Sequence, residues 1–262
     1  MITSPRNQHI QRVRKLVKKG VRDSSGEFLV EGPTGVREAL ARGRVRSVFV
    51  ESPVPSAFED IVETASAKRI TTWEISEQVM GSISRTETPP GVLAIARHVD
   101  IAPEKLLHSG FDLAVMLAQV RDPGNVGTIL RTAWAAGAQA AFLGEGTSDL
   151  YNPKVVRAAA GAVFGVPVCR DVDMAVILKG LRDMGVQTIA ADPRGDTAYD
   201  ETDMTGPVAI VLGNEAWGID KELTDLVDHR VRIPMHPAAE SLNVAASSAI
   251  LLFEVLRQRR AA

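Results

Sequence analysis

Apolar positions change their period several times along the first hundred residues. Between His9 and Lys18, Ile10, Val13, Leu16 and Val17 recur at helical spacing, with Arg12, Arg14, Lys15, Lys18 and Lys19 on and beside the remaining positions; this predicts a short basic amphipathic helix. Glu27–Glu31, Val45–Val50, Ile70–Trp73 and Val92–Ala96 read as strands, separated by helices expected from about Thr34 to Ala41 and near Phe58 to Ala67. Such alternation argues for a small α/β domain over residues 1–99. The stretch that follows contains a Pro, ends in Ser-Gly and keeps no clean period, so residues 100–110 are expected to be a linker.

Beyond it, over residues 111–262, Leu113–Leu117 is a continuous apolar run of the kind buried in parallel sheets, followed by the turn Arg121-Asp-Pro-Gly124 and a helix through Ala136. Ala140–Leu143, Val166–Cys169, Thr188–Ala191, Val208–Leu212 and Val231–Ile233 are further strands. Helices are expected near 153–160, 174–184 and 220–227, with a long closing helix from about Val244 to Gln258. Repeated crossovers of this kind require a mostly parallel sheet covered on both faces. The fold class is therefore α/β, a mostly parallel sheet preceded by a smaller α/β domain.

Composition narrows the options. A chain of 262 residues with 45% hydrophobic content can bury a substantial core. No apolar run reaches the 18 or so residues of a membrane helix, and the start lacks the apolar stretch of a signal peptide, so the cytoplasm is expected. Its single cysteine, Cys169, is read as a buried small hydrophobe. The histidines at 9, 98, 108, 229 and 236 show no ligand spacing, and no metal is expected. Net charge is only −2, yet residues 6–46 carry eleven Arg or Lys against four Asp or Glu. That asymmetry suggests a face for a large anion, of which nucleic acid is the commonest. Arg12, Lys15, Lys19 and Arg22 are the candidate phosphate contacts.

Three blocks place small and polar residues where strands hand over to loops or helices: Asn125-Val-Gly-Thr-Ile-Leu-Arg131-Thr-Ala, Leu212-Gly-Asn-Glu-Ala-Trp-Gly-Ile219 and Ile233-Pro-Met-His-Pro-Ala-Ala-Glu-Ser-Leu-Asn-Val244. Open α/β sheets bind ligands at such positions. None contains a Gly-x-Gly-x-x-Gly run or a Walker lysine, which argues against a nicotinamide dehydrogenase or a phosphate loop. Gly213 and Gly218 bracket a loop tight enough for its backbone to approach a ligand. Ser241 or Asn243 would cap the last helix. Arg131 lies in a helix whose apolar set is Val126, Ile129, Leu130, Ala133 and Trp134, a setting in which a buried guanidinium needs an anionic partner.

In order, spacing and wording these blocks resemble the three motifs of the SpoU (TrmH) family, RNA ribose methyltransferases of the SPOUT superfamily, over about residues 112–260. The resemblance implies a C-terminal trefoil knot, a homodimer, S-adenosylmethionine as methyl donor and an N-terminal domain that binds RNA. It further implies that Gly213, Asn214, Gly218, Ile233, Met235 and Leu242 surround the donor. By the same resemblance Arg131, in many members acting from the opposite subunit, Asn125, Glu215 and Asn243 form the reaction centre. Arginine effectively stays protonated, so Arg131 is expected to stabilise an alkoxide and adjacent phosphate rather than to act as an unaided base. Ribosomal RNA is the favoured substrate; transfer RNA, or a protein that binds RNA without activity, are the alternatives.

Overall fold

The computed structural model describes residues 1–84 and 86–261, which divide into two compact units, the first drawn from 1–99 with 149–165 and the second from 100–148 with 166–261. The first unit opens with α1 (Gln8–Lys15), capped by the Asn7 side chain, which accepts from His9 N at 2.9 Å. Ile10 and Val13 are buried, as the period requires, but α1 stops at Lys15 and a second helix, α2 (Lys19–Ser25), follows and closes at Gly26 in the left-handed region, φ 64°. Then come β1 (Glu27–Glu31), α3 (Pro33–Ala41), β2 (Val45–Glu51), α4 (Glu59–Ala67), β3 (Thr71–Ile75), α5 (Glu77–Ile83) and β4 (Val92–Arg97). Their sheet runs β1-β4-β2-β3, with β4 antiparallel to both neighbours and β2 parallel to β3.

The second unit starts with a helix, α6 (Pro103–Ser109), in the segment expected to be linker; Pro103 sits in its first turn, where a missing N–H costs nothing. β5 (Leu113–Leu117), α7 (Pro123–Ala135) and β6 (Ala140–Gly144) follow. The chain next leaves this unit. α8 (Pro153–Ala158) and α9 (Ala162–Gly165) belong to the first unit, where Tyr151 is fully buried against Phe28 and His98, with ring centroids 4.5 and 3.9 Å apart. Its hydroxyl accepts from Val99 N at 2.7 Å. β7 (Val168–Val172), α10 (Met174–Asp183), β8 (Gln187–Ala191), the two-residue β9 (Thr197–Ala198), β10 (Val208–Leu212), α11 (Lys221–Thr224), β11 (His229–Arg232) and α12 (Val244–Ala261) complete the second unit.

Its seven strands run β7-β6-β5-β10-β8-β11-β9 and are parallel throughout. Every residue of the central pair, β5 and β10, is buried, which is why both read as unbroken apolar runs. From β5 the chain winds outward to β6 and β7, while β10 opens the other half of the sheet. The carboxyl ends of β5 and β10 thus flank the place where the winding reverses, the usual ligand crevice of an open α/β sheet. No helix among the described residues is long and apolar enough to cross a membrane.

Candidate functional site

After β10 the backbone folds back on itself at once. Asn214 N donates to Gly218 O at 2.8 Å and Gly218 N returns to Asn214 O at 3.0 Å, a reciprocal pair that closes a tight loop, with Gly218 at φ 77°. Gly213 makes this closure possible: a Cβ there would stand 2.4 Å from the Gly218 carbonyl carbon and 2.6 Å from its oxygen. Asn214, 6% exposed, fastens the loop to the end of β5 by donating its amide to Gln119 O at 2.8 Å, while its own oxygen accepts from Ala216 N at 2.8 Å. Gln119 holds φ 60°, a conformation costing a non-glycine residue on the order of 1 kcal/mol and concentrated at functional sites.

Glu215 draws the two loops together. Its carboxylate accepts from Arg121 N and Asp122 N, each at 3.2 Å, and from the Asn125 amide at 3.0 Å. Partial burial pushes its pKa up, but these bonds, with its own backbone N–H, outweigh that and hold the carboxyl below its ordinary range. Asn125 is fixed from below as well, because Asp122 caps α7 and accepts Asn125 N at 2.8 Å. The Asn125 oxygen accepts the Asn243 amide at 3.0 Å, and the Asn243 oxygen accepts Ala245 N and Ala246 N at 2.9 and 3.3 Å. Asn243, not Ser241, therefore caps α12 while reaching the other two blocks. The chain Asn243–Asn125–Glu215 joins all three sequence blocks.

This network adjoins an open cavity of about 620 Å³, within the usual ligand-pocket range. Gly213, Asn214, Gly218, Ile233, Met235 and Leu242 all line it, as do Glu215 and Asn243. Asn125 and Arg131 do not. Arg131 is exposed, and the burial expected for it is corrected: six residues separate it from Asn125, about 9 Å along α7 and some 120° around it, so the Val126, Ile129, Leu130 and Ala133 stripe goes inward without it. Among the described residues, the cavity's charged lining comprises Asp192, Glu215 and Glu240 against one cation, Arg194; apolar Leu212, Ile219 and Val231 add to its walls. Such a lining suits a flat apolar group carrying positive charge and opposes a phosphate-rich nucleotide. An adenosyl sulfonium fits both features.

Sequence reasoning passed over several of these residues. Gln119, Asp192 and Arg194 come to the site only as loops from distant strands converge, whereas Glu240 stands within the third block with no role assigned to it. Trp217 was in plain view within the second block and carried no assigned role; it is 47% exposed at the cavity, and the Arg121 guanidinium carbon lies 4.7 Å from its ring centroid.

The expected phosphate contacts are distributed less simply. Lys15 is exposed. Lys19 is exposed and paired with Asp23, and half-exposed Arg12 shares the nearly buried carboxylate of Glu27 with Arg46. Arg22 is corrected outright as a surface contact: it is 4% exposed, donates to Leu16 O and Val17 O, and forms an ion pair with Asp149. The helical period that ended at Lys18 gave no warning that α2 would turn this arginine inward. Cys169 is buried, and burial first, then the nearby charges of Asp100 and Glu104, push its thiol up to about 12.

Comparison with known proteins adds independent findings. The profile described as the SpoU rRNA Methylase family matches residues 112–253, and that of an MRM3-like substrate binding domain matches residues 7–94. The chain is 33% identical over 257 residues to RlmP of Bacillus subtilis, a 23S rRNA guanosine 2′-O-methyltransferase, spanning 97% of this chain and 98% of the relative. It is 30% identical to the mitochondrial rRNA methyltransferase 3 of Mus musculus, over 98% of this chain and 73% of that one. A crystal structure of an AdoMet-bound rRNA methyltransferase from Sinorhizobium meliloti superimposes with a TM-score of 0.86 at 32% identity, covering 98% of this chain and 97% of the other.

Proposed function

Because the chain belongs to the SpoU rRNA methylase family, we propose that it transfers a methyl group from S-adenosylmethionine to a ribose 2′-oxygen of ribosomal RNA. The observation that carries this reading is the Asn243–Asn125–Glu215 network beside a cavity whose charged lining is predominantly acidic. When bound, the donor would supply a methyl on a positively charged sulfur; because the sulfur is left as a neutral thioether no acid is needed, and the proton lost from the ribose 2′-hydroxyl passes to water. In this reading Ile233, Met235 and Leu242 hold the flat adenine, and Gly213, Asn214 and Gly218 offer it backbone at close range. Glu215, kept ionised by its hydrogen bonds, orients Asn125 and the two loops rather than taking a proton. Asn243 and Asn125 present amides to the incoming ribose. Holding oxygen and methyl in line supplies several kcal/mol of barrier reduction.

Arg131 enters as the stabiliser of charge developing on the ribose oxygen and the adjacent phosphate. Its exposure, away from Asn125 on the same helix, supports its serving the cavity of a second copy. A homodimer is accordingly part of the proposal. Half-exposed Phe253, beside Leu256 on α12, supports an apolar contact of that kind. We take the trefoil knot as part of the same reading, supported by β8 lying between β10 and β11 and by α12 returning onto α7 and β10. The first unit would grip RNA through exposed bases of α1 and α2, Lys15 and Lys19 with Arg12, and the cytoplasm is the expected site of action.

The test is transfer of labelled methyl from S-adenosylmethionine to ribosomal RNA taken from cells lacking this gene, with the modified nucleotide then mapped. Incorporation at one ribose is expected. Incorporation only into transfer RNA, or none with donor bound, would overturn the reading.

A further inference from the structure

We propose that Trp217 and Arg121 form a nucleobase subsite that takes the base of the nucleotide whose ribose is methylated, in a three-layer stack of guanidinium, indole and base. This rests on the function proposed above and adds to it where the target nucleotide is held.

Among the described residues lining the cavity, Trp217 is the one aromatic, and nearly half its surface is open. An indole this open beside a cavity presents a π-face on which a flat group can stack. One side is already taken: the Arg121 guanidinium lies over the ring, its carbon 4.7 Å from the centroid, in the range of a cation–π contact. A base therefore adds to the stack from the side that Arg121 leaves uncovered. Unstacked RNA bases are recognised in this way, on aromatic rings and guanidinium planes.

The pair is also held ready. Trp217 sits in the loop closed by the reciprocal Asn214–Gly218 bonds, and the Glu215 carboxylate of that loop accepts the backbone N–H of Arg121 itself. One carboxylate thus fixes both layers of the stack, and because the bond to Arg121 uses backbone, replacing the Arg121 side chain leaves it in place. Position completes the argument. Trp217 lies two residues from Glu215 in the same closed loop, the Glu215 carboxylate accepts the Asn125 amide proposed to meet the ribose, and base and ribose of one nucleotide are joined by a single glycosidic bond. A ribose brought to Asn125 and Asn243 must bring its base along, out of whatever stack the RNA offered it. Stacking on a π-face tolerates every base, so this subsite grips the extruded nucleotide and leaves choice of sequence to contacts elsewhere.

The test uses the full-length protein and two independent readouts. In the first, Trp217→Ala, Trp217→Phe, Arg121→Ala and Arg121→Lys are assayed on unmethylated ribosomal RNA, and donor affinity is measured by calorimetry. Trp217→Ala is expected to lower kcat/KM roughly 10- to 100-fold, the scale of one lost base–aromatic stack. Phe should restore most of it, Arg121→Lys should outperform Arg121→Ala, and donor affinity should stay within about twofold. On an RNA whose mapped target nucleotide is abasic, the wild type should fall to the Trp217→Ala level and that variant should fall no further. Independent full losses on the abasic RNA, or loss of donor binding in Trp217→Ala, would overturn the subsite.

In the second readout, Trp73→Phe/Trp134→Phe protein keeps Trp217 as its sole tryptophan, and its fluorescence lifetime is followed as the same RNA is added. Shortening is expected, and unchanged lifetime with bound RNA overturns the stack. Methyl transfer without quenching would remove the subsite and leave the activity standing. Quenching without transfer would do the reverse.

Discussion

In the first unit Arg22 and Asp149 form an ion pair with side chains 4% and 11% exposed, whereas in the second unit Asn125, Glu215 and Asn243 meet in the open beside a cavity. Both networks tie together segments distant in sequence. They differ in what their loss would cost. The buried pair lies where water cannot compensate either charge, so removing one partner strands the other. The open network sets two neutral amides around one carboxylate, and solvent can replace any bond that is lost. The comparison teaches that a polar cluster's depth sorts its purpose: the deep one holds the fold, and the shallow one is free to meet a substrate.

The sharpest way to break that contrast is Arg22→Ala. It should destabilise the protein by about 3–5 kcal/mol in denaturant unfolding, with RNA affinity of the folded fraction unchanged. Weakened RNA binding at full stability would place Arg22 back on the binding face. Next is Arg131→Ala, which should slow methyl transfer by roughly 10²–10³-fold while donor affinity and melting temperature hold. Equal turnover in that variant would remove Arg131 from the chemistry.

Glu215→Gln tests the shallow network directly. Loss of hydrogen bonds to a charged acceptor is worth about 1.5–3 kcal/mol, so roughly a 10- to 100-fold loss of activity is expected, with little change in melting temperature. A comparable drop in stability would erase the distinction drawn above. The pH profile gives a gentler probe. Because the Glu215 pKa is depressed on folding, its contribution is complete above the ordinary carboxylate value of about 4.3 and disappears only as pH falls below that value. Activity limited by Glu215 should therefore stay flat from neutrality to about pH 5, and a Glu215-dependent decline near pH 6 would contradict the network. Smallest of all, Cys169, with its thiol at about 12, should resist alkylation at pH 8 in the native protein and react fully in denaturant.

Much of this was legible in the chain, for reasons that particular residues make plain. Leu113–Leu117 and Val208–Leu212 are strands at their expected bounds, because the two central strands of a parallel sheet need apolar residues on both faces. Several short elements escaped notice, α2 and α9 among them. α5 carries Gly81 and spans only Glu77–Ile83, α6 was masked by the proline that opens it and the glycine that follows it, and the two residues of β9 are too few to show a period. The departure of residues 149–165 into the first unit could not be read, since nothing local distinguishes a helix that packs on β1 from one that packs on the larger sheet. At the site, Asn125, Glu215 and Asn243 were legible as blocks but not as a single hydrogen-bonded chain. The capping role went to Asn243 rather than Ser241 because only its short amide can accept the first-turn N–H groups and still donate to Asn125.

The path of the chain through residues 149–165 has a bearing on how such proteins can be rebuilt. The two units are not beads on a string, because the polypeptide passes between them at 99/100, again at 148/149 and once more at 165/166. A graft that exchanged only the amino-terminal hundred residues for those of a relative would leave Tyr151, Phe164 and Asp149 facing a foreign surface cut for other side chains. Chimeras that carry the 149–165 excursion along with the amino-terminal piece should survive where simple fusions at residue 100 aggregate.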